Sequence, residues 1–157
     1  MRKAARAIII HNDQLLVMKR NKFGKQYYSL LGGGIESGET PEQALVREVR
    51  EETTLDITNY RLVFTEEPGD PFGMQYIYLC DFPGGEPSLP PDSIEAKISA
   101  MGKNLYAIAW LPLKDLAQAP LVSETLKLAI VGALERGFPN QPMALSPSNY
   151  VGDKNGA

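Results

Sequence analysis

Glu48, Glu51 and Glu52 recur at offsets of three and four within the segment Gly33 to Leu55, GGIESGETPEQALVREVREETTL. If that segment is helical, such offsets place the three side chains on one face, within an arc of about 100°. Converging carboxylate oxygens suit a hard divalent cation, Mg²⁺ or its substitute Mn²⁺; a zinc site would want His or Cys, and this region has neither. The plain alternative is a solvated helix face, because like charges at this spacing cost only about 0.2–0.5 kcal/mol. Arg47 and Arg50 could then neutralise part of the charge as ordinary ion pairs.

The elements that must position these carboxylates can be read on either side. Thr40, Pro41 and Gln43 give a helix start, with Thr40 as N-cap, Pro41 at the first helical position and Gln43 at the capping-box position. The helix is expected to run to about Thr53, with Leu45 and Val49 facing a core and Val46 widening that side. Upstream, Ala4 to Ile10 and Gln14 to Arg20 read as a strand hairpin turning at His11-Asn12-Asp13. Tyr27 to Leu31 reads as a third strand that Gly32, Gly33 and Gly34 end. Downstream, Ile57 to Thr65 and Met74 to Phe82 read as strands, and Pro83 to Ser93 as a loop. Leu105 to Leu111, containing Trp110, follows as a strand. After a short helical turn over Pro112 to Leu116, Ser123 to Arg136 reads as an amphipathic helix stopped by Gly137 and Pro139. This order predicts an α+β fold, a mixed sheet between helices, over residues 1–139, with residues 140–157 as a flexible tail.

The 157 residues suffice for one core, and no internal repeat divides them. Apolar residues make up 43% and charged residues 22%, and no apolar run is long enough to cross a bilayer, so no membrane partner is expected. The basic, apolar start MRKAARAIII lacks a cleavage pattern and reads as a first strand, so a cytoplasmic location is expected. Cys80 is the only cysteine, which rules out an intramolecular disulfide and a thiolate cluster; a buried, inert side chain is expected. A net charge of −3 with interspersed signs argues against gripping nucleic acid backbones. A small polyanion would have to be met through local basic groups or a bridging cation.

From Gly33, five residues lead to Glu39, seven more to Arg47, and Glu48-Val49-Arg50-Glu51-Glu52 follows. This resembles the Nudix box, Gly-x5-Glu-x7-Arg-Glu-U-x-Glu-Glu-x-Gly-U with U aliphatic. Six fixed positions, each at a frequency of about 6%, would coincide by chance on the order of once in 10⁷ windows. Val49 and Leu55 fill the aliphatic positions, while Thr54 stands where the family has its last glycine, and Leu31 where many members have proline. That glycine leaves the helix in a left-handed conformation, so Thr54 puts the local turn in question.

The resemblance implies an α/β/α sandwich that hydrolyses the pyrophosphate linkage of a nucleoside diphosphate linked to X, a small-molecule substrate. It implies divalent-cation binding by Glu48, Glu51 and Glu52 together with the backbone carbonyl of Gly32. Arg47 and Glu39 are implied to orient the glutamates. The general base would be Glu48 or Glu52, with Glu95 the second choice. Arg20, Lys22 and Lys25 could meet phosphate oxygens. Tyr28, Tyr76 and Tyr78 could stack on a base, although strand tyrosines more often serve the core. His11 has no role in this reading. Homodimers are common in the family, so a homodimer is allowed. The alternative is a sensing domain of the same fold that binds a nucleotide or sugar nucleotide without cleaving it.

Overall fold

The computed structural model describes residues 2–67 and 73–146. Its elements run β1 Lys3–His11, β2 Gln14–Lys22, β3 Lys25–Gly34, α1 Pro41–Thr53, β4 Tyr60–Glu66 and β5 Met74–Cys80. They continue with α2 Ile94–Ala100, β6 Asn104–Pro112, a 3-10 turn Leu113–Gln118, α3 Glu124–Arg136 and β7 Met143–Leu145. Among the described residues the strands form one mixed sheet in the order β6-β2-β3-β1-β5-β4-β7. β1 runs antiparallel to β3 and parallel to β5.

Strand alternation splits the core into two layers. Ala5, Ala7, Ile9, Leu16, Met18 and Leu31 pack with Ala44, Leu45 and Val49 of α1. Ile8, Val17, Leu30 and Ile77 pack with Leu126, Ala129 and Ile130 of α3 on the other face. Burying a Leu or Val side chain contributes about 1.5–3 kcal/mol, so the apolar stripe of α1 fastens its glutamates to the sheet. The α/β/α sandwich is thus the observed architecture.

The first hairpin turns on Asn12 and Asp13, both at positive φ (51° and 59°), the backbone a two-residue turn requires. The capping box forms as expected. Thr40 Oγ1 accepts from the Gln43 backbone N–H at 3.1 Å, and Gln43 Oε1 accepts from the Thr40 N–H at 2.9 Å. The far end of α1 keeps the left-handed exit without glycine: Thr54 has φ 67°, and its N–H bonds the Arg50 carbonyl at 2.9 Å. A β-branched residue pays conformational strain there of order 1–2 kcal/mol. Thr54→Gly is therefore expected to raise the Tm by about 2–4 °C, partly offset by the extra freedom of glycine in the unfolded chain; a thermal melt checks this.

The structure differs from the sequence reading in three places. Gly32, Gly33 and Gly34 do not end β3: they continue it, facing Arg6, Ala5 and Ala4 of β1. The ladder uses backbone groups alone, and a Cβ on Gly32 would stand 2.0 Å from the Ala5 carbonyl oxygen, so glycine permits the contact. The segment after the Pro-rich loop forms α2, capped by Ser93. The expected tail from Asn140 contributes β7, parallel to β4 with Leu145 buried, so the ordered fold passes residue 139. The rest of that tail, 147–157, lies outside the described residues.

Candidate functional site

The C-terminal half of α1, the glycine segment of β3 and α2 meet around the acidic cluster. Arg47 organises its outer side. Nε donates to Glu39 Oε2 at 2.7 Å and Nη2 to Glu39 Oε1 at 2.9 Å, a bidentate fork. Nη1 reaches Glu48 at 3.0 Å and Glu51 at 3.3 Å, and Nη2 also donates to the Gly34 carbonyl at 3.0 Å. One guanidinium thereby ties the end of β3 and Glu39 of the following loop to Glu48 and Glu51 of α1. The Arg47 fork, helped by the Glu36 backbone, holds the Glu39 carboxyl down at about 2, and Glu39 in turn supports the arginine's charge.

Glu48 and Glu52 form the inner side. The Glu48 carboxylate lies against Gly33, where a Cβ would meet it at 2.7 Å. Burial raises its pKa, with Arg47 opposing. Glu52 is 6% exposed, and its Oε1 accepts from the Gly32 N–H at 2.7 Å. Burial pushes Glu52 up to about 8 against that hydrogen bond, and the charges of Glu48 and Glu95 push the same way. Ionising this site is therefore unfavourable without added positive charge, the electrostatic condition that a hard cation satisfies.

The Gly32 carbonyl, expected beside the cation, accepts from Arg6 Nη1 at 3.0 Å. Glu51 is the outward member of the trio, its side chain 55% exposed and turned to Arg47. Among the described residues no three Asp, Glu, His or Cys side chains already enclose a common point for an ion. The carboxylate oxygens on the inner side are those of Glu48 and Glu52, while Glu51 pairs outward with Arg47.

Glu95 sits in the first turn of α2, within electrostatic reach of both Glu48 and Glu52. The Pro-rich loop is fastened to α1 by the Ser88 N–H on the Thr53 carbonyl at 3.0 Å, and α2 to β6 by Ser99 Oγ accepting from the Tyr106 N–H at 2.8 Å. Two local tethers thus hold an acid that is distant in sequence beside the cluster.

The expected substrate-binding residues divide. The Arg20 guanidinium carbon lies over the Tyr106 ring, 3.7 Å from its centroid, and Nη2 donates to Asn104 Oδ1 at 2.7 Å. Tyr27 is its other aromatic neighbour at 5.5 Å. Lys22 and Lys25 pair at the exposed tip of the β2–β3 hairpin. At about 3.3 Å per residue, Lys25 is roughly 23 Å along β3 from Gly32. Tyr28 is a correction: it packs on the α3 side of the sheet and exchanges backbone bonds with Pro120 and Val122, away from the acids. Counting back in twos from Leu31, which faces α1, leads to Ser29 and Tyr27, so alternation marks Tyr27 as the tyrosine on the site's face. Tyr76 and Tyr78 pack in the α1-side core, where the Tyr78 hydroxyl donates to Glu42. Cys80 is a buried free thiol, as expected, its pKa pushed up to about 12 by burial.

Comparison with known proteins places this geometry. The model of the NUDIX domain matches residues 1–129. The NAD-capped RNA hydrolase NudC of Pseudomonas putida (strain W619) is 35% identical over 105 residues, 67% of this chain and 37% of that protein. The NAD-capped RNA hydrolase NudC of Photobacterium profundum is 32% identical over 116 residues, 74% of this chain and 42% of that protein. The chain thus spans less than half the length of these relatives. Among solved structures, a putative Nudix hydrolase family member from Chromobacterium violaceum is 29% identical with a TM-score of 0.58, covering 87% of this chain and 77% of that one. A MutT Nudix hydrolase from Burkholderia pseudomallei shares the fold with a TM-score of 0.63 at 24% identity, over 81% of this chain and 95% of that one. The chain belongs to the Nudix hydrolase family.

Proposed function

We propose that the chain is a divalent-cation-dependent pyrophosphohydrolase that cleaves the phosphoanhydride of a nucleoside diphosphate linked to X. The observation carrying this reading is the buried Glu52, held by the Gly32 N–H and repelled by Glu48 and Glu95, a charge arrangement that a hard cation completes. The all-oxygen donors fit Mg²⁺ or Mn²⁺. Glu48, Glu51 and Glu52 would hold the cation, which when bound lowers the pKa of an attacking water and neutralises charge on the leaving phosphate.

The protein's own residues supply the rest. Arg47 fixes Glu48 and Glu51 in register with the glycine end of β3. Glu52, Glu48 or Glu95 accepts the proton of the attacking water; burial and, after it, neighbouring acids raise the basicity of Glu52 and Glu48. Arg20, held over Tyr106 and by Asn104, would meet a substrate phosphate through its terminal guanidinium nitrogens, while Lys25 is too far along the hairpin to touch the cluster directly. The substrate is a small nucleotide derivative. The relatives' NAD-capped RNA hydrolase activity and the ADP-ribose pyrophosphatase structure from Streptococcus suis, a likeness of fold alone, put dinucleotides and ADP-ribose high in the panel to be tried. A reducing, cytoplasmic setting suits the free Cys80 thiol.

The test is product release from nucleoside triphosphates, ADP-ribose, NAD, NAD-capped RNA, dinucleoside polyphosphates and sugar nucleotides, with Mg²⁺, Mn²⁺ or EDTA. Cleavage that EDTA abolishes is expected; silence across the panel with both cations would instead favour a sensor. Gly33→Ala provides a local check. The backbone at Gly33 tolerates a side chain, but the methyl displaces the Glu48 carboxylate. Turnover is expected to fall roughly tenfold or more with little change in Tm, an effect of misplacement by about 1 Å.

A further inference from the structure

Arg6 is a charged residue inside the apolar run Ala4–Ile10 of β1. A half-buried charge in a strand needs partners, and Arg6 has two: Nε donates to Gln75 Oε1 at 3.1 Å and Nη1 to the Gly32 carbonyl at 3.0 Å. Gly32 is thereby gripped at both of its backbone groups, its N–H by Glu52 and its C=O by Arg6. Arg47 reaches Glu39, Glu48 and Glu51, whereas no ion pair within 4.0 Å joins Glu52 to any described residue. On the inner side Arg47 pairs with Glu48, while the positive charge acting on Glu52 is that of Arg6, which Glu52 and, less strongly, Glu48 stabilise.

We infer that Arg6 is a built-in counter-cation for Glu52 and Glu48 that competes electrostatically with a bound divalent cation and so limits how tightly the site holds one. The inference rests on the proposed cation-binding role of the glutamates. A fixed positive charge beside the carboxylates lowers the attraction they exert on a divalent ion, and low local dielectric magnifies the effect. The Gly32 carbonyl has two lone pairs, so the Arg6 N–H shares this oxygen with an ion rather than closing it off. Competition is therefore through charge, and it predicts an effect that a purely structural role would not produce: loss of the arginine tightens cation binding.

Free Mn²⁺, measured by electron paramagnetic resonance in titrations of the full chain without substrate, reads this directly. Arg6→Gln, which removes the charge and keeps a donor for Gly32, is expected to bind Mn²⁺ about tenfold more tightly than the parent. Arg6→Lys, which keeps the charge, should stay within about twofold. Equal or weaker binding by Arg6→Gln overturns the inference while leaving the cation site standing; a parent chain that binds no Mn²⁺ overturns the site and the inference together. If Arg6→Gln is unfolded in the absence of cation, Mn²⁺ should refold it at concentrations that leave the parent's Tm unmoved. Failure to refold at saturating Mn²⁺ makes Arg6 structural and refutes the counter-cation role.

Discussion

Glu52→Gln is expected to lower turnover by about 10²–10⁴-fold while leaving the fold intact. The two halves of that statement have separate causes. Gln keeps the Oε1 acceptor that the Gly32 N–H requires and nearly the same volume, so β3 and α1 remain joined. It also relieves the protein of desolvating a charge beside Glu48 and Glu95, so the cation-free Tm should stay or rise. What it loses is anionic character, needed to hold a hard cation and to take a proton from water. Rates measured across Mg²⁺ concentration separate the two roles. Activity recovered at high Mg²⁺ identifies Glu52 chiefly as a ligand; activity that stays low at saturation identifies it as the base. Turnover within tenfold of the parent at ordinary Mg²⁺ would contradict both.

The parts of this site that were legible in the sequence are those encoded locally. The capping residues Thr40 and Gln43 and the spacing of Leu45 and Val49 fix both the start of α1 and its buried face, and the positions of Glu48, Glu51 and Glu52 follow from helical geometry. Thr54 shows the limit of a motif departure: the left-handed exit survives without glycine because its N–H still bonds Arg50 and the residues after it pack, with Leu55 and Ile57 buried. The parts that were not legible depend on tertiary contacts. β7 is three residues long and exists by pairing with β4. α2 had local signals, a Ser93 cap and Ile94 and Ile98 one turn apart, but they lie behind a proline-rich run, and none of the helix's residues is buried. Arg6 announced itself only as a charge among apolar residues; its partners, Gln75 and Gly32, are 69 and 26 residues away. Which of Tyr27 and Tyr28 faces the acids follows from strand alternation only once the packing of Leu31 against α1 fixes the register.

Arg47→Ala is expected to cost both stability, about 2–3 kcal/mol or roughly 5–10 °C in Tm, and turnover, about 10²-fold. The arginine side chain is 24% exposed and Glu39 and Glu48 are 14% and 15% exposed, so solvent screens these pairs only partly, whereas the 55% exposed Glu51 adds little. Its removal leaves Glu39, Glu48 and the Gly34 carbonyl without their shared donor and lets the loop after β3 drift from the helix. Arg47→Lys should recover less than half of either loss, because a single ammonium cannot reproduce the fork on Glu39. The stability effect also carries a pH signature. In the folded chain Glu39 is held at about 2, below its ordinary value of 4.5, so the pair contributes fully above pH 4.5 and loses its contribution as pH falls toward 2. The gap between the parent and Arg47→Ala, read from denaturant midpoints, should therefore be widest near neutrality and narrow through that acid window. A gap that held constant down to pH 2 would mean that Arg47 acts through packing of its stem, and the ion-pair account of the loop would have to be abandoned.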